Sequence, residues 1–437
     1  MTMVGGAASA QDWNLDWGGY YNMDVLYNDA SGNFLPAAVD VDGVNIHQNG
    51  EIHFTPSVTL DNGMTFGVVV EMEAANAGGG ADGIDESYMF ISSDSMGRVE
   101  VGSENSAGYK LSVGAPSVGF GINSPSPSAY HPTAFLFPDA DPADATTIGE
   151  YIDALDGVDN PLLGGAGFAL GRNAMGSSAT EVAGNNDTAR ISYYTPSFNG
   201  LTLGVSYAPG NTNVANSGLV NRNGLSDIFD IGANYSQSFG NVDMTLSARW
   251  GTADAATARS TAAGTTGPGL DGVAGTADDV YAAAVVQQDD PTTWAIGAQF
   301  ATAGFTFGGS YAENDAGSVN ADGLKDGAGD SSGWSLGVTY DVAGPWTIGF
   351  DTYQGEMDGS LDFATGTRTK AEYVAYQIGA ERSLGNGVAW RIYAIQSETS
   401  LKTNRIGGFA NDTGGNSNVS KYKLESTTIG TGIRLTF

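Results

Sequence analysis

The chain has 437 residues, and its 49 Asp and Glu residues against 17 Lys and Arg residues give a formal net charge of −32. An acidic balance of this size excludes a broad nucleic-acid contact, because phosphate groups are bound by basic surfaces. Cysteine is absent, which excludes a disulfide framework, a thiolate metal site and a cysteine nucleophile.

The first ten residues differ in character from those that follow. They end in Ala8, Ser9 and Ala10, a small-residue pattern typical of a signal-peptide cleavage site. We therefore interpret residues 1–10 as the remnant of a signal peptide and residues 11–437 as one folded domain. No later segment approaches the run of about 18 apolar residues that predicts a membrane-spanning helix.

From residue 13 to the last residue, apolar and polar side chains alternate in many short segments. A period of two predicts strands with one apolar face. In the last segment, for example, Ile429, Ile433, Leu435 and Phe437 share one face. The pattern predicts sixteen strands, at about 13–27, 44–60, 64–73, 86–92, 97–104, 189–196, 200–208, 227–238, 241–250, 292–301, 304–311, 332–341, 345–354, 372–382, 387–397 and 427–437.

The connections between these strands alternate between short turns and long loops. The long ones lie at about 28–43, 74–85, 105–188, 209–226, 251–291, 312–331, 355–371 and 398–426. Such asymmetry is typical of a transmembrane barrel, in which short periplasmic turns alternate with long external loops. Lipid leaves no partner for an open sheet edge, so the sheet must close. The sequence predicts an all-β fold, a single sixteen-stranded antiparallel transmembrane β-barrel.

Aromatic residues support this interpretation because they gather near the strand ends. Near the short turns lie Phe66, Phe239, Phe300, Phe305, Tyr340, Trp346, Trp390 and Phe437. Near the long loops lie Tyr207, Trp250, Trp294, Tyr311 and Trp334. Two aromatic girdles flank the apolar band of an outer-membrane barrel, so we expect Trp13, Trp17, Trp346 and Trp390 to face lipid.

Several segments resemble a Gram-negative general porin of the alphaproteobacterial type. They are FTPSVTLDNGMTFG (54–67), GRVEVGSENSAGY (97–109), APSVGFGINSP (115–125), ARISYYTPSFNGLTLGVSYAP (189–209) and the terminal Phe437. The resemblance implies a homotrimer in the outer membrane of a Gram-negative bacterium, in contact with lipid and lipopolysaccharide. It also implies that the third external loop, 105–188, folds into the lumen as a constriction.

A sixteen-stranded lumen is too wide for side chains to fill, so we expect it to hold water and to select by its lining charges. The phase of the strands turns five basic candidates inward: Arg391, Arg434, Arg249, His47 and His53. The third loop carries the opposing acids Asp139, Asp141, Asp144, Glu150, Asp153, Asp156 and Asp159. In the family that the chain resembles, a basic wall cluster faces loop acids across the constriction. The alternative is that some of these charges only anchor the loop through ion pairs.

Other chemistry is weakly indicated. In GLDGVAGTADD (269–279), the residues Asp271, Asp278 and Asp279 offer oxygen ligands suited to Ca²⁺, although a solvated external loop explains them equally well. Glu71 and Glu73 share a face without a nucleophile beside them, and we expect no enzymatic activity. No cofactor is required.

These observations predict a channel for passive diffusion of small hydrophilic solutes and ions. The third loop holds nine acids against Lys110 and Arg172, which favours cations. Two alternatives stay open. One is a substrate-selective porin for sugars or organic acids, with Tyr130, Phe135, Phe137 and Tyr151 as stacking groups. The other is a calcium-dependent surface-layer or adhesion protein.

Overall fold

We analysed a computed structural model of the chain. It describes residues 12–32, 42–75, 83–120, 187–210, 225–255, 257–267, 280–287, 289–319, 325, 327, 329–362, 367–403 and 420–437.

The described residues form a closed antiparallel barrel of sixteen strands and a separate two-stranded sheet. The strands in chain order are β1 (Asn14–Ser31), β2 (Gly43–Thr59), β3 (Thr65–Glu73), β4 (Glu86–Ser93), β5 (Gly97–Glu104), β6 (Thr188–Tyr194), β7 (Leu201–Gly210), β8 (Ser226–Phe239), β9 (Val242–Asp254), β10 (Thr257–Gly267), β11 (Val280–Gln287), β12 (Thr292–Thr302), β13 (Phe305–Asp315), β14 (Ser331–Asp341), β15 (Trp346–Asp362), β16 (Thr367–Gly385), β17 (Val388–Thr403) and β18 (Ser420–Thr436). Strands β10 and β11 pair only with each other, and the other sixteen form the barrel. The predicted fold class is confirmed.

The barrel closes where its first and last strands meet. Strand β1 pairs antiparallel with β18 from Tyr20 opposite Thr436 to Ser31 opposite Glu425. Gly19 N–H donates to the Phe437 carbonyl at 3.0 Å, and Phe437 N–H donates to the Gly19 carbonyl at 3.1 Å. The alternating C-terminal segment therefore removes the sheet edge that lipid could not solvate.

Large apolar side chains are exposed on the outer face of the barrel. Trp13 and Trp17 are 63% and 65% exposed. Aromatic pairs mark both ends of the strands: Trp17 lies 5.6 Å from Phe437 and Trp346 lies 5.6 Å from Trp390 between ring centroids, at the short-turn end. Trp294 and Tyr311 lie 5.4 Å apart at the other end. This outer surface suits contact with lipid rather than water.

The wall is uneven in height, which the sequence pattern did not predict. Strands β3 to β6 have 7 to 9 residues, whereas β15 to β18 have 16 to 19. The tall strands extend beyond their predicted ranges, and the predicted loop 251–291 contains the β10–β11 hairpin. Outside the lipid a strand needs no apolar face, so apolar alternation cannot find these extensions.

Helix is scarce in the described part of the chain, where α1 (Ala107–Lys110) is a single turn. None of the described helices is long and apolar enough to cross a membrane.

Candidate pore lining

The third long connection leaves β5 at Glu104 and turns at once toward the barrel wall. Ser106 caps α1, and its hydroxyl accepts from the Tyr109 N–H at 3.3 Å. The next two backbone N–H groups are satisfied by the wall: Ala107 donates to Ser206 Oγ at 3.1 Å and Gly108 donates to Asp230 Oδ1 at 2.5 Å. Ser206 on β7 and Asp230 on β8 are buried, so the loop begins as a segment bonded to the sheet.

Residues 106–120, which we call the wall strap, then cross the inner face of the barrel strand by strand. Val113 N–H donates to Ser247 Oγ on β9 at 3.0 Å. The Gln299 amide on β12 donates to the Gly114 carbonyl at 2.7 Å. On β16, the Gln377 side chain donates to the Phe120 carbonyl and accepts from the Phe120 N–H, both at 2.7 Å. The strap thus covers much of the inner wall between β7 and β17.

The strap faces the interior because its partners alternate with lipid-facing residues. On β16, Gln377 is 1% exposed whereas its neighbour Ile378 is 64% exposed. The same alternation separates Asp230 from the exposed Phe229 and Ile231 on β8. The strap therefore packs on the face opposite the lipid. Residues 121–186 of the predicted constriction loop lie outside the described residues, and the constriction itself stays a prediction.

Glycines beneath the strap give it room. A Cβ atom added to Gly232 would stand 2.7 Å from Gly108 Cα, and one added to Gly349 would stand 3.0 Å from Val118 Cγ2. Contacts of this kind with the strap arise at seven inward glycines of the described wall: Gly204, Gly232, Gly297, Gly308, Gly337, Gly349 and Gly379. A Cβ atom added to Gly297, Gly337 or Gly379 would clash with a backbone carbonyl oxygen of the strap. The sheet thus carries a glycine track where the strap runs.

An ion pair fixes the far end of the strap. Arg391 donates to both carboxylate oxygens of Asp24, at 2.9 Å from Nε and 2.5 Å from Nη2, and Nη1 donates to the Gly119 carbonyl at 2.8 Å. Asp24 is fully buried and Arg391 is 7% exposed. The Phe120 ring packs 4.9 Å from the His47 ring. A two-pronged, desolvated pair of this kind positions its partners firmly.

The five predicted basic wall residues do not form one cluster. Arg391 and His47 both contact the end of the strap, Arg391 through the Gly119 carbonyl and His47 through the Phe120 ring. Arg249 is buried on β9. Arg434 lies near the short-turn end of β18, half-exposed, where it donates to Glu381 at 2.7 Å. His53 lies on β2 between Glu51 and Glu71.

The remaining predicted site residues lie outside the described part of the chain. The loop acids Asp139, Asp141, Asp144, Glu150, Asp153, Asp156 and Asp159 lie outside the described residues. The calcium candidates Asp271, Asp278 and Asp279 also lie outside them.

Sequence reasoning missed the charged group that holds the start of the strap. Lys110 Nζ donates to Glu100 at 3.0 Å and also to Glu104, both on β5. The same ammonium lies 4.3 Å from the centre of the Tyr88 ring. Burial alone would lower the pKa of Lys110, but the attraction of Glu104 and Glu100 outweighs it and raises that pKa above its ordinary value. One available signal was that Lys110 is one of only two basic residues in the predicted third loop.

Strands β2 and β3 carry carboxylates that face the lumen, whereas the bases Arg391 and Lys110 are held in ion pairs. Glu51 and Glu71 are partly exposed, and Glu73 is exposed. On β3, Glu71 and Glu73 have the parity opposite to that of the exposed Val68 and Met72. Glu51 on β2 pairs directly opposite Glu73 and therefore lies on the same face. This sector of the inner wall therefore presents negative charge.

Comparison with known proteins agrees with this geometry. A family model described as Gram-negative porin matches residues 1–400. No curated protein matches the chain in sequence.

Among solved structures, an anion-selective porin from Comamonas acidovorans is 15% identical, with a TM-score of 0.52 over 98% of this chain and 100% of that one. The outer membrane channel DcaP of Acinetobacter baumannii is 10% identical, with a TM-score of 0.52 over 97% of each chain. The trimer form of OmpT, an outer membrane protein of Vibrio cholerae, is 9% identical, with a TM-score of 0.52 over 97% of this chain and 99% of that one. At such identities these likenesses establish the fold, and the family follows from the match over residues 1–400. The chain belongs to the Gram-negative porin family and resides in the outer membrane.

Proposed function

We propose that this porin is a water-filled channel for passive diffusion of small hydrophilic solutes and ions, with a preference for cations. The observation that carries the cation preference is that basic side chains of the wall are held in ion pairs while carboxylates face the lumen. Arg391 is buried against Asp24, and Lys110 is held by Glu100 and Glu104, whereas Glu51, Glu71 and Glu73 face the lumen. A net negative lining concentrates cations in the channel.

The wall strap supports a lumen that is narrower than that of an unobstructed sixteen-stranded barrel. It runs along the interior over a glycine track and is bonded at both ends, so it reduces the cross-section of the lumen. Residues 121–186 continue from its end at Phe120, and we infer that they complete the constriction. Their acids Asp153, Asp156 and Asp159 add to the negative field.

Solute flux tests the channel. Proteoliposomes with the purified porin should swell in uncharged sugars at rates that fall steeply with sugar size and rise linearly with concentration. Flux that saturates for one sugar or organic acid would favour the substrate-selective alternative. Liposomes that stay impermeable to every small sugar would contradict the channel.

We also propose that the functional unit is a homotrimer. The OmpT structure from Vibrio cholerae is described as a trimer form, and the low wall of β3 to β6 on this chain offers a side on which neighbouring barrels can meet. Light scattering in mild detergent measures the assembly, and a monomer alone would count against the proposal. Calcium at Asp271, Asp278 and Asp279 stays a prediction.

A further inference from the structure

A histidine and two glutamates converge on the inner wall away from the strap. Strands β2 and β3 are antiparallel, with His53 opposite Glu71 and Glu51 opposite Glu73. These side chains follow the inward parity of both strands, because Ile46 on β2 and Val68 on β3 are exposed on the outer face. The group is therefore open to the lumen.

The distances within this group suit a tetrahedral metal ion. His53 Nε2 lies 2.9 Å from Glu51 Oε2 and 3.6 Å from Glu71 Oε2. One ligand atom from each of the three residues lies within 4.8 Å of the others. Zinc bound at about 2.1 Å by nitrogen and oxygen would place neighbouring ligand atoms about 3.4 Å apart. Small side-chain rotations are enough to reach that arrangement.

A neighbouring side chain orients one of the ligands. The Tyr20 hydroxyl on β1 donates to Glu51 Oε1 at 2.7 Å, which leaves Oε2 directed at His53. Outer partners of this kind fix the direction of a ligand and strengthen metal binding.

The charges around the group also favour a cation. Glu51 and Glu73 stand directly opposite each other on adjacent strands, an arrangement of like charges that destabilises a sheet. A second set, Glu51, Glu73 and Asp85, lies within 4.8 Å by its carboxylate oxygens. The nearby Lys110 is engaged by Glu100 and Glu104. A bound divalent cation would relieve this repulsion.

We propose that Glu51, His53 and Glu71 form a binding site for a divalent transition-metal ion such as Zn²⁺ on the channel wall. An imidazole ligand beside two carboxylates selects such ions over Ca²⁺ and Mg²⁺, which take oxygen ligands. Water from the lumen completes the coordination. The effect of the ion on conduction rests on the proposed channel function, because a bound dication reduces the negative charge of the lining and thereby the cation preference.

Metal binding is measured first, independently of conduction, by calorimetric titration of the detergent-solubilised protein with ZnCl₂ and then with CaCl₂. We expect saturable Zn²⁺ binding that His53→Gln and Glu71→Gln each weaken at least tenfold, with Ca²⁺ binding much weaker. Tyr20→Phe should weaken Zn²⁺ binding about tenfold.

Two matched variants serve as controls. His47→Gln removes the other inward histidine of β2, and Glu73→Gln removes an equal charge from β3 outside the Glu51–His53–Glu71 group. His47→Gln should stay within about threefold of the parent affinity. Glu73→Gln removes one of the repelling charges but no ligand, so it should weaken Zn²⁺ binding clearly less than Glu71→Gln does. Equal weakening by all four glutamine variants would mean diffuse electrostatic attraction and overturn the site, as would absence of saturable Zn²⁺ binding in the parent protein.

Conduction is measured second. In a planar bilayer, Zn²⁺ at saturating concentration should lower the cation preference of the parent channel and leave that of His53→Gln unchanged. A parent protein that binds Zn²⁺ but never conducts would overturn the proposed channel and leave the site standing. A conducting protein without the binding would overturn the site alone.

Discussion

At the scale of single residues, the pair of Arg391 and Asp24 holds the far end of the wall strap. The two residues are 367 positions apart, and both are buried. Removing one partner leaves the other charge buried and unpaired, which typically costs about 3–5 kcal/mol.

We therefore predict that Asp24→Asn or Arg391→Gln lowers the thermal unfolding temperature and increases current noise in single channels. The double variant should recover part of the lost stability, because it leaves no buried charge unpaired. A double-mutant cycle from thermal unfolding checks this coupling. Additive losses would show that the pair does not act as a unit.

The raised pKa of Lys110 sets the pH range in which its ion pairs hold the start of the strap. Its pKa is raised by Glu104 and Glu100 despite burial. A group whose pKa is higher in the folded state contributes stability that is fully present below its unfolded pKa, about 10.4 for lysine. That contribution is lost as the pH rises through the raised, folded-state pKa.

The stability difference between the parent protein and Lys110→Met should therefore stay constant from pH 7 to about pH 10 and shrink only in stronger alkali. Thermal unfolding of both proteins across this range measures it. A difference that disappears near neutral pH would contradict the ion-paired ammonium.

At the scale of structural elements, the glycine track and the strap fit each other. A Cβ at Gly337 would run into the Pro116 carbonyl oxygen of the strap, whereas a Cβ at Gly309 would meet only β14, on the lipid face. The two glycines lie on adjacent strands, so Gly309→Ala is a matched control for crowding of the sheet.

The absence of cysteine allows a direct test, because an introduced pair is the only thiol pair in the chain. Val113 N lies 3.0 Å from Ser247 Oγ, so Val113→Cys with Ser247→Cys should form a disulfide. Gly337→Ala should lower the yield of that disulfide severalfold, and Gly309→Ala should leave it unchanged. Equal yields in both would mean that the glycines do not determine the course of the strap.

The elements also show which parts of the fold were readable in the sequence. Apolar alternation located the sixteen barrel strands because lipid imposes an apolar outer face on each one. It did not find the β10–β11 hairpin or the upper parts of β15 to β18, where no lipid constrains the side chains. Inward parity identified Arg391 and His47, but their meeting with Phe120 depends on pairing across the closed barrel, which local periodicity does not encode.

At the scale of the whole molecule, the net charge of −32 affects ion selectivity according to where the charged side chains lie. Arg391 and Lys110, which hold the strap, are neutralised by ion pairs, while carboxylates of β2 and β3 face the lumen. Exposed charges act over about a Debye length, roughly 10 Å at 0.1 M salt. The cation preference should therefore be largest in dilute salt and fade as salt is added.

The reversal potential of the purified porin in a planar bilayer, under a tenfold KCl gradient at low ionic strength, tests the central claim most directly. The account predicts discrete conductance steps and a potential whose sign shows that K⁺ permeates faster than Cl⁻. Joint neutralisation of Asp153, Asp156 and Asp159 to Asn should reduce that potential. A reversal potential of the opposite sign, or a potential that the triple substitution leaves untouched, would contradict the account.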